Sequence, residues 1–275
     1  MNLIKYLILL LSAAFMAAPG LYGQSYLKLL PVPDQTLRLY PEGQHSDTGL
    51  AGALGPGGSN GSTRPEETDN NGHISYVGDQ ARVDLYFPKK PNGQMIVVCP
   101  GGAYWVVSTH NEGGFVADWL LSKGISVAVV TYRLPYGHWE APLRDVQNVF
   151  RYCRHNAAKW GISQIGVMGY SAGGHLAGCA STLFTDTVTR PDFSVLIYPV
   201  ITFEDGVTHN DTRNNLLGYA RWHDRSMNID EWEKAQKQYA ELIQRYSLEH
   251  QVNADTPPTF LAHSGDDRTV PVENS

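Results

Sequence analysis

Cysteine is scarce: Cys99, Cys153 and Cys179 are the whole complement of this 275-residue chain. An odd set, each in an apolar context, excludes a disulfide framework or a cysteine-built metal cluster and reads as buried thiols. Sequence alone leaves a single Cys153–Cys179 pair open. Charge is sparse as well, at 17% of residues with a formal net charge of −6. No basic run or patch occurs, which argues against a nucleic-acid partner. Long apolar runs are missing, with one exception. Tyr6 to Ala18 follows Lys5, and Ala17, Ala18, Gly20 and Gly23 supply small residues for cleavage. Residues 1–23 therefore read as a signal peptide, too short for a comfortable membrane span. No cysteine near the cleavage zone suggests a lipid anchor. The expectation is a chain that starts near Gln24, periplasmic or secreted, with no stable membrane insertion after cleavage.

What is present begins with a Gly-rich stretch, Gly49 to Gly61, inside a loop-like segment from Tyr40 to Gly72. It lacks the Gly-Lys-Ser or Gly-Lys-Thr ending of a phosphate loop. Residues 24–72 thus read as an N-terminal extension whose Gly-rich loop runs over the surface near the active-site mouth. From residue 73 the pattern is that of one domain, 73–275, a length sufficient for a full core. His73 to Val77 and Arg82 to Phe87 alternate like strands entering a sheet in antiparallel sense. Short buried strands over Met95–Cys99, Ile125–Tyr132, Ile162–Met168, Phe193–Tyr198 and Thr259–Ala262 then alternate with helices over 112–123, 142–160 and 171–183. That rhythm predicts a doubly wound, mostly parallel α/β sheet with helices on both faces. Residues 202–251 interrupt it as a cap-like insertion carrying an amphipathic helix from Asp230 to Tyr246.

The sharpest motif is Gly169-Tyr170-Ser171-Ala172-Gly173, placed where a buried strand meets a run of small residues suited to a helix. Strand, sharp turn and helix is the setting of a nucleophile elbow, with Ser171 projecting from the turn. Pro100-Gly101-Gly102-Ala103-Tyr104 follows another buried strand, and His263 to Pro271 follows the last. With Tyr132-Arg133-Leu134, His138 and Pro142 to Asp145 between them, these blocks make the chain resemble serine esterases of the α/β-hydrolase superfamily. The likeness is to the secreted acetyl-xylan-esterase-like and feruloyl-esterase-like branch, related to the hormone-sensitive-lipase type, and covers residue 80 to the end.

The resemblance implies roles. Ser171 is the nucleophile. The oxyanion hole is expected from the N–H of Ala172 with that of Gly102 or Ala103, despite Pro100 and Ala103 standing where the family has His and Gly. Such donors are typically worth ~2.7–4 kcal/mol each. Asp267, in Asp267-Arg268-Thr269-Val270-Pro271, fits the family's acid, leaving Asp266 to cap the turn. Tyr104 and His138 are candidate substrate contacts. His175 is expected to pack locally, and His263 to order the acid loop. The superfamily order puts the base histidine after the acid, and no histidine follows Asp267. The expectation is therefore a chain lacking its last strand, last helix and catalytic imidazole.

The implied activity is cofactor- and metal-free hydrolysis of carboxylic esters through an acyl-enzyme. The substrate would be a small-molecule or polysaccharide ester, such as acetylated xylan. A serine peptidase on the same fold and a non-catalytic carbohydrate-binding protein are the alternatives. The exact ester and the oligomeric state are not legible in the sequence.

Overall fold

The structure, a computed structural model, describes residues 30–40, 65–78 and 80–275. The expected signal peptide and the Gly49 to Gly61 loop lie outside these residues. Two short apolar runs dictate the centre. Strands β1 (Gln35–Arg38), β2 (Glu67–Thr68), β3 (His73–Ser75) and β4 (Arg82–Tyr86) precede β5 (Gln94–Cys99), nearly all buried. The chain continues through β6 (Val107–Ser108) and helix α1 (Phe115–Ser122) to β7 (Ser126–Thr131), buried throughout. Helix α2 (Ala141–Trp160), β8 (Gln164–Tyr170), α3 (Ser171–Thr182) and β9 (Ser194–Ile197) follow. Helices α4 (Asn210–Leu217), α5 (Tyr219–Trp222) and α6 (Ile229–Tyr246) then lead to β10 (Thr259–Ala262).

The main sheet runs β1-β4-β7-β5-β8-β9-β10. The first two strands pair antiparallel and the remaining five are mutually parallel. Strands buried on both faces read as near-continuous apolar runs, which is why β5 and β7 lack a polar alternation. Their side chains divide between two cores. Met95, Val97 and Val130 pack with Phe150 of α2 and Leu176 of α3, while Ile96, Val98 and Val129 pack with Val116 and Leu120 of α1. Helices therefore cover both faces, as expected. Glycine stops α2, Gly161 adopting the left-handed conformation at φ 67°.

Two expectations need correction. His73–Ser75 joins β2 and β6 in a separate three-stranded sheet and not the main one. Residues 31–40 are not an extension apart from the hydrolase unit, since β1 pairs with β4 and Tyr40 enters the core. The three cysteines are free and buried, as expected, and the Cys153–Cys179 pair left open by the sequence is not formed. The insertion does not break the sheet: β10 resumes parallel to β9 at the far edge, with Phe260 and Leu261 exposed. Helix α6 starts at a capping box between Asn228 and Glu231 and buries Tyr239, Leu242 and Tyr246.

Candidate active site

The carboxyl end of β8 turns into α3 within one residue. Tyr170 is still extended, at φ −123° and ψ 135°, and Ser171, the first residue of α3, has φ 52°. A non-glycine residue held there costs ~1–3 kcal/mol, a strain typical of functional positions. The two motif glycines make the bend feasible. A Cβ on Gly169 would sit 2.1 Å from the Gly173 carbonyl oxygen, and one on Gly173 would sit 2.1 Å from that of Cys99. Both obstacles are backbone, so neither position accepts a side chain. Ala172 follows in the first turn of α3, where backbone N–H groups lack helical partners and carry the positive end of the dipole.

The end of β5 supplies the opposing wall. Gly102, Ala103 and Tyr104 are consecutively left-handed, at φ 124°, 54° and 56°. The turn closes by Trp105 and Val106 N–H groups donating to the Gly102 carbonyl at 2.9 and 3.0 Å. A Cβ on Gly102 would lie 2.2 Å from the Val106 carbonyl oxygen, which explains glycine there. A cleft of about 590 Å³ brings Ser171 together with Gly102, Ala103, Trp105 and Thr269. The insertion contributes His209, Asp211 and Asn215, and the small sheet contributes His73 and Ser108. His73 and His209 are the imidazoles sharing this wall. His73 Nδ1 lies 2.9 Å from Asp69 Oδ2, and His209 Nδ1 lies 2.8 Å from Thr212 Oγ1.

Asp267 sits in the loop after β10. Its Oδ1 accepts from the Thr269 and Val270 N–H groups at 2.8 and 3.0 Å, and its Oδ2 lies 3.5 Å from His263 Nε2. Asp267, not Asp266, thus caps the turn, while Asp266 accepts from the Ser264 hydroxyl. His263 orders the loop, with Nε2 against the Val270 carbonyl at 3.0 Å and Nδ1 against the Ser275 hydroxyl at 2.7 Å.

Two proposed substrate contacts are placed elsewhere. Tyr104 is 1% exposed, and its hydroxyl bonds His175 Nδ1 at 2.9 Å in the core. An aromatic residue just after Gly101-Gly102-Ala103 looks like a cleft residue in sequence, but the left-handed turn folds it inward. His138 lines a separate cavity of about 100 Å³ with Arg144 and Arg221. His175 Nε2 lies 2.9 Å from the Tyr246 carbonyl, which can only accept, so Nε2 carries the proton and Nδ1 accepts from Tyr104. Full burial pushes this imidazole down to about 4. It is a satisfied core residue.

Glu112 is the cleft residue the sequence conceals. It is drawn into the cleft by a π-helical turn, His110–Gly114, ahead of α1. Its Oε2 accepts from the Gly101 N–H at 2.6 Å and its Oε1 from the Tyr198 hydroxyl at 3.0 Å. Burial raises this carboxyl above the ordinary carboxylate range, against the lowering effect of those two hydrogen bonds.

A serine on a strained strand-to-helix turn, at the carboxyl end of a mostly parallel sheet, is the nucleophile elbow of the α/β-hydrolase fold. The chain belongs to the BD-FAE family, whose model matches residues 83–275. It is 38% identical over 196 residues to the acetylxylan esterase of Xylanibacter ruminicola, which covers 70% of this chain and 38% of that one. It is 33% identical over 196 residues to endo-1,4-β-xylanase B of Butyrivibrio fibrisolvens, covering 66% of this chain and 28% of that one. The chain thus spans less than half the length of either relative. Among solved structures, an acetyl ester-xyloside bifunctional hydrolase from Caldicellulosiruptor lactoaceticus superposes with a TM-score of 0.64. That match has 31% identity over 90% of this chain and 79% of the other.

Proposed function

We propose that this chain is a serine carboxylic-ester hydrolase that removes acetyl groups from plant polysaccharide such as acetylated xylan. The observation that carries this reading is Ser171 at φ 52°, opening into the cleft that Gly102 and Ala103 also line. Ser171 Oγ attacks the acetyl carbonyl as a general base takes its proton. The carbonyl oxygen then bears negative charge, which the N–H groups of Ala172 and of Gly102 or Ala103 stabilise. The sugar alcohol leaves with a proton, water attacks the acyl-enzyme, and acetate departs as Ser171 regains its proton. Asp267 is the acid in this reading. The base imidazole it would orient and stabilise is the one the superfamily order places after it, and none of the histidines among the described residues is assigned that role.

The polysaccharide part of the reading rests on the relatives and on the cleft wall. Trp105 is 54% exposed there and meets Tyr136 edge-on at 6.4 Å. His209 and Asp211 of the insertion add polar groups to the same cleft. An apolar ring face beside hydrogen-bonding side chains suits a pyranose. The same reading makes the protein exported, with residues 1–23 as its signal peptide.

Acetate release from acetylated xylo-oligosaccharides, compared between the wild type and Ser171→Ala, tests the reading. Turnover that disappears in the variant supports it. Turnover that survives the substitution overturns it, as does binding of the oligosaccharide with no release by either protein when both are made in a chain that carries the base histidine.

A further inference from the structure

We infer that Glu112 and Asn215 are positioning residues that clamp the strained Gly101–Tyr104 turn from two sides and so aim its N–H groups at the developing oxyanion. The inference rests on the esterase reading of the Ser171 cleft. It starts from a mechanical problem. Three consecutive left-handed residues, two of them not glycine, form a conformation the chain does not hold unaided. An oxyanion hole, however, works only when its donors are fixed before charge develops.

The turn is held at its base and at its tip by side chains from different elements. At the base, Glu112 Oε2 accepts from Gly101 N–H at 2.6 Å, and Tyr198 steadies the other carboxylate oxygen at 3.0 Å. At the tip, Asn215 Nδ2 of α4 donates to the Ala103 carbonyl at 2.9 Å. One bond fixes the peptide entering the turn and the other a peptide within it. The Gly102 and Ala103 N–H groups lie between them. Gly101 is also packed directly beneath the elbow: a Cβ there would fall 2.7 Å from the Tyr170 carbonyl oxygen and 3.1 Å from Ser171 Cβ. Movement of Gly101 therefore shifts the donors relative to the nucleophile itself. Buried Tyr104, bonded to His175, pins the far end.

A purely structural role and a positioning role differ in what they change. Loss of alignment lowers kcat while leaving ground-state binding, and hence KM, nearly unchanged. The full chain is compared as wild type, Glu112→Ala, Glu112→Gln and Asn215→Ala. Acetate release and amide hydrogen exchange of residues 101–106 are measured on each. Expected are a kcat loss of roughly tenfold to a hundredfold in Glu112→Ala, about tenfold in Asn215→Ala, and KM within about threefold, short of the loss of a whole donor. Glutamine keeps an oxygen for the Gly101 N–H and can donate to Tyr198, so Glu112→Gln should recover most of the kcat. Exchange at residues 101–106 should quicken in both alanine variants and return in the glutamine variant. Unchanged exchange overturns the clamp. Faster exchange with unaltered kcat, or a rise in KM alone, overturns its part in turnover. Should the wild type show no Ser171-dependent turnover even in a chain that carries the base histidine, the esterase reading fails instead, and the exchange result still decides whether the clamp exists.

Discussion

His175 lies flat against Phe203, their ring centroids 4.4 Å apart and their planes 7° from parallel. The imidazole is fully buried and neutral, held down to about 4 from its ordinary 6.5 because burial disfavours the charged form. The sign follows. A folded-state value below the unfolded one contributes stability that is fully present above pH 6.5 and is lost as pH falls from there towards 4. The loss approaches about 3 kcal/mol at the acid end. Urea midpoints between pH 7.5 and 4.5 should fall in the wild type and fall less in His175→Gln. Parallel pH profiles for the two proteins would show that His175 does not carry the effect.

Buried charge makes a second test. Arg133 and Asp145 meet through two contacts from Nε, at 2.9 and 3.1 Å, and one from Nη2 at 2.5 Å. Asp145 also accepts from the Arg133 N–H at 2.7 Å and from the Tyr40 hydroxyl at 2.6 Å. Removing one partner strands a charge, so Asp145→Leu should cost roughly 3–5 kcal/mol. The double variant Arg133→Met/Asp145→Leu should recover part of that, since no charge is stranded. It should not recover all, because the Arg133 N–H and Tyr40 hydroxyl still lack their acceptor. Denaturant unfolding of the two variants decides it. A double variant as unstable as the single one would reject the argument.

How much of this was legible depends on range. The elbow was, because Gly169 and Gly173 are dictated by backbone contacts within a few residues or at the neighbouring strand end. So were β5, β7 and β8, whose burial on both faces writes itself as uninterrupted apolar runs. Strand β1 was not: Gln35 to Arg38 lies at the sheet edge with mostly exposed side chains and carries no apolar pattern. Glu112 was hidden for another reason. It reads as the first polar residue of an amphipathic helix, and only the π turn brings it back beneath Gly101. Likewise His209, Asp211 and Asn215 look like polar loop residues until the insertion folds over the cleft.

Trp105 should discriminate between substrates. Its exposed face borders the cleft and touches only Tyr136 edge-on among aromatic neighbours described. A pyranose stacked there gains contact that a small acetate ester such as vinyl acetate never makes. Trp105→Ala should therefore lower kcat/KM for acetylated xylo-oligosaccharides by roughly fivefold to tenfold, about 1 kcal/mol of contact. Vinyl acetate hydrolysis should change little. A proportional loss on both esters would assign Trp105 to the architecture of the site and not to sugar recognition.

The last prediction separates two adjacent carboxylates. Asp267 and Asp266 differ in what they hold. Asp267 uses Oδ1 to cap the Thr269 and Val270 N–H groups and directs Oδ2 towards His263. Thr269 itself reaches the cleft wall. Asp266 engages the hydroxyl of Ser264 on the outside of the loop, and both are exposed. Asparagine at 267 keeps an oxygen for the two N–H groups, so the turn and the packing of Val270 should survive. What it loses is the negative charge and the second acceptor that an imidazole needs. In a homologous chain that carries the base histidine, Asp267→Asn should thus reduce Ser171-dependent turnover severely, towards the ~10⁴-fold loss known for the equivalent change in a serine-protease triad. Its melting temperature should stay close to that of the wild type. Asp266→Asn should leave turnover within a few-fold, for it removes only a surface contact. Initial rates and thermal melts on the two variants are sufficient. Equal losses, or the greater loss in Asp266→Asn, would move the acid to the neighbouring residue.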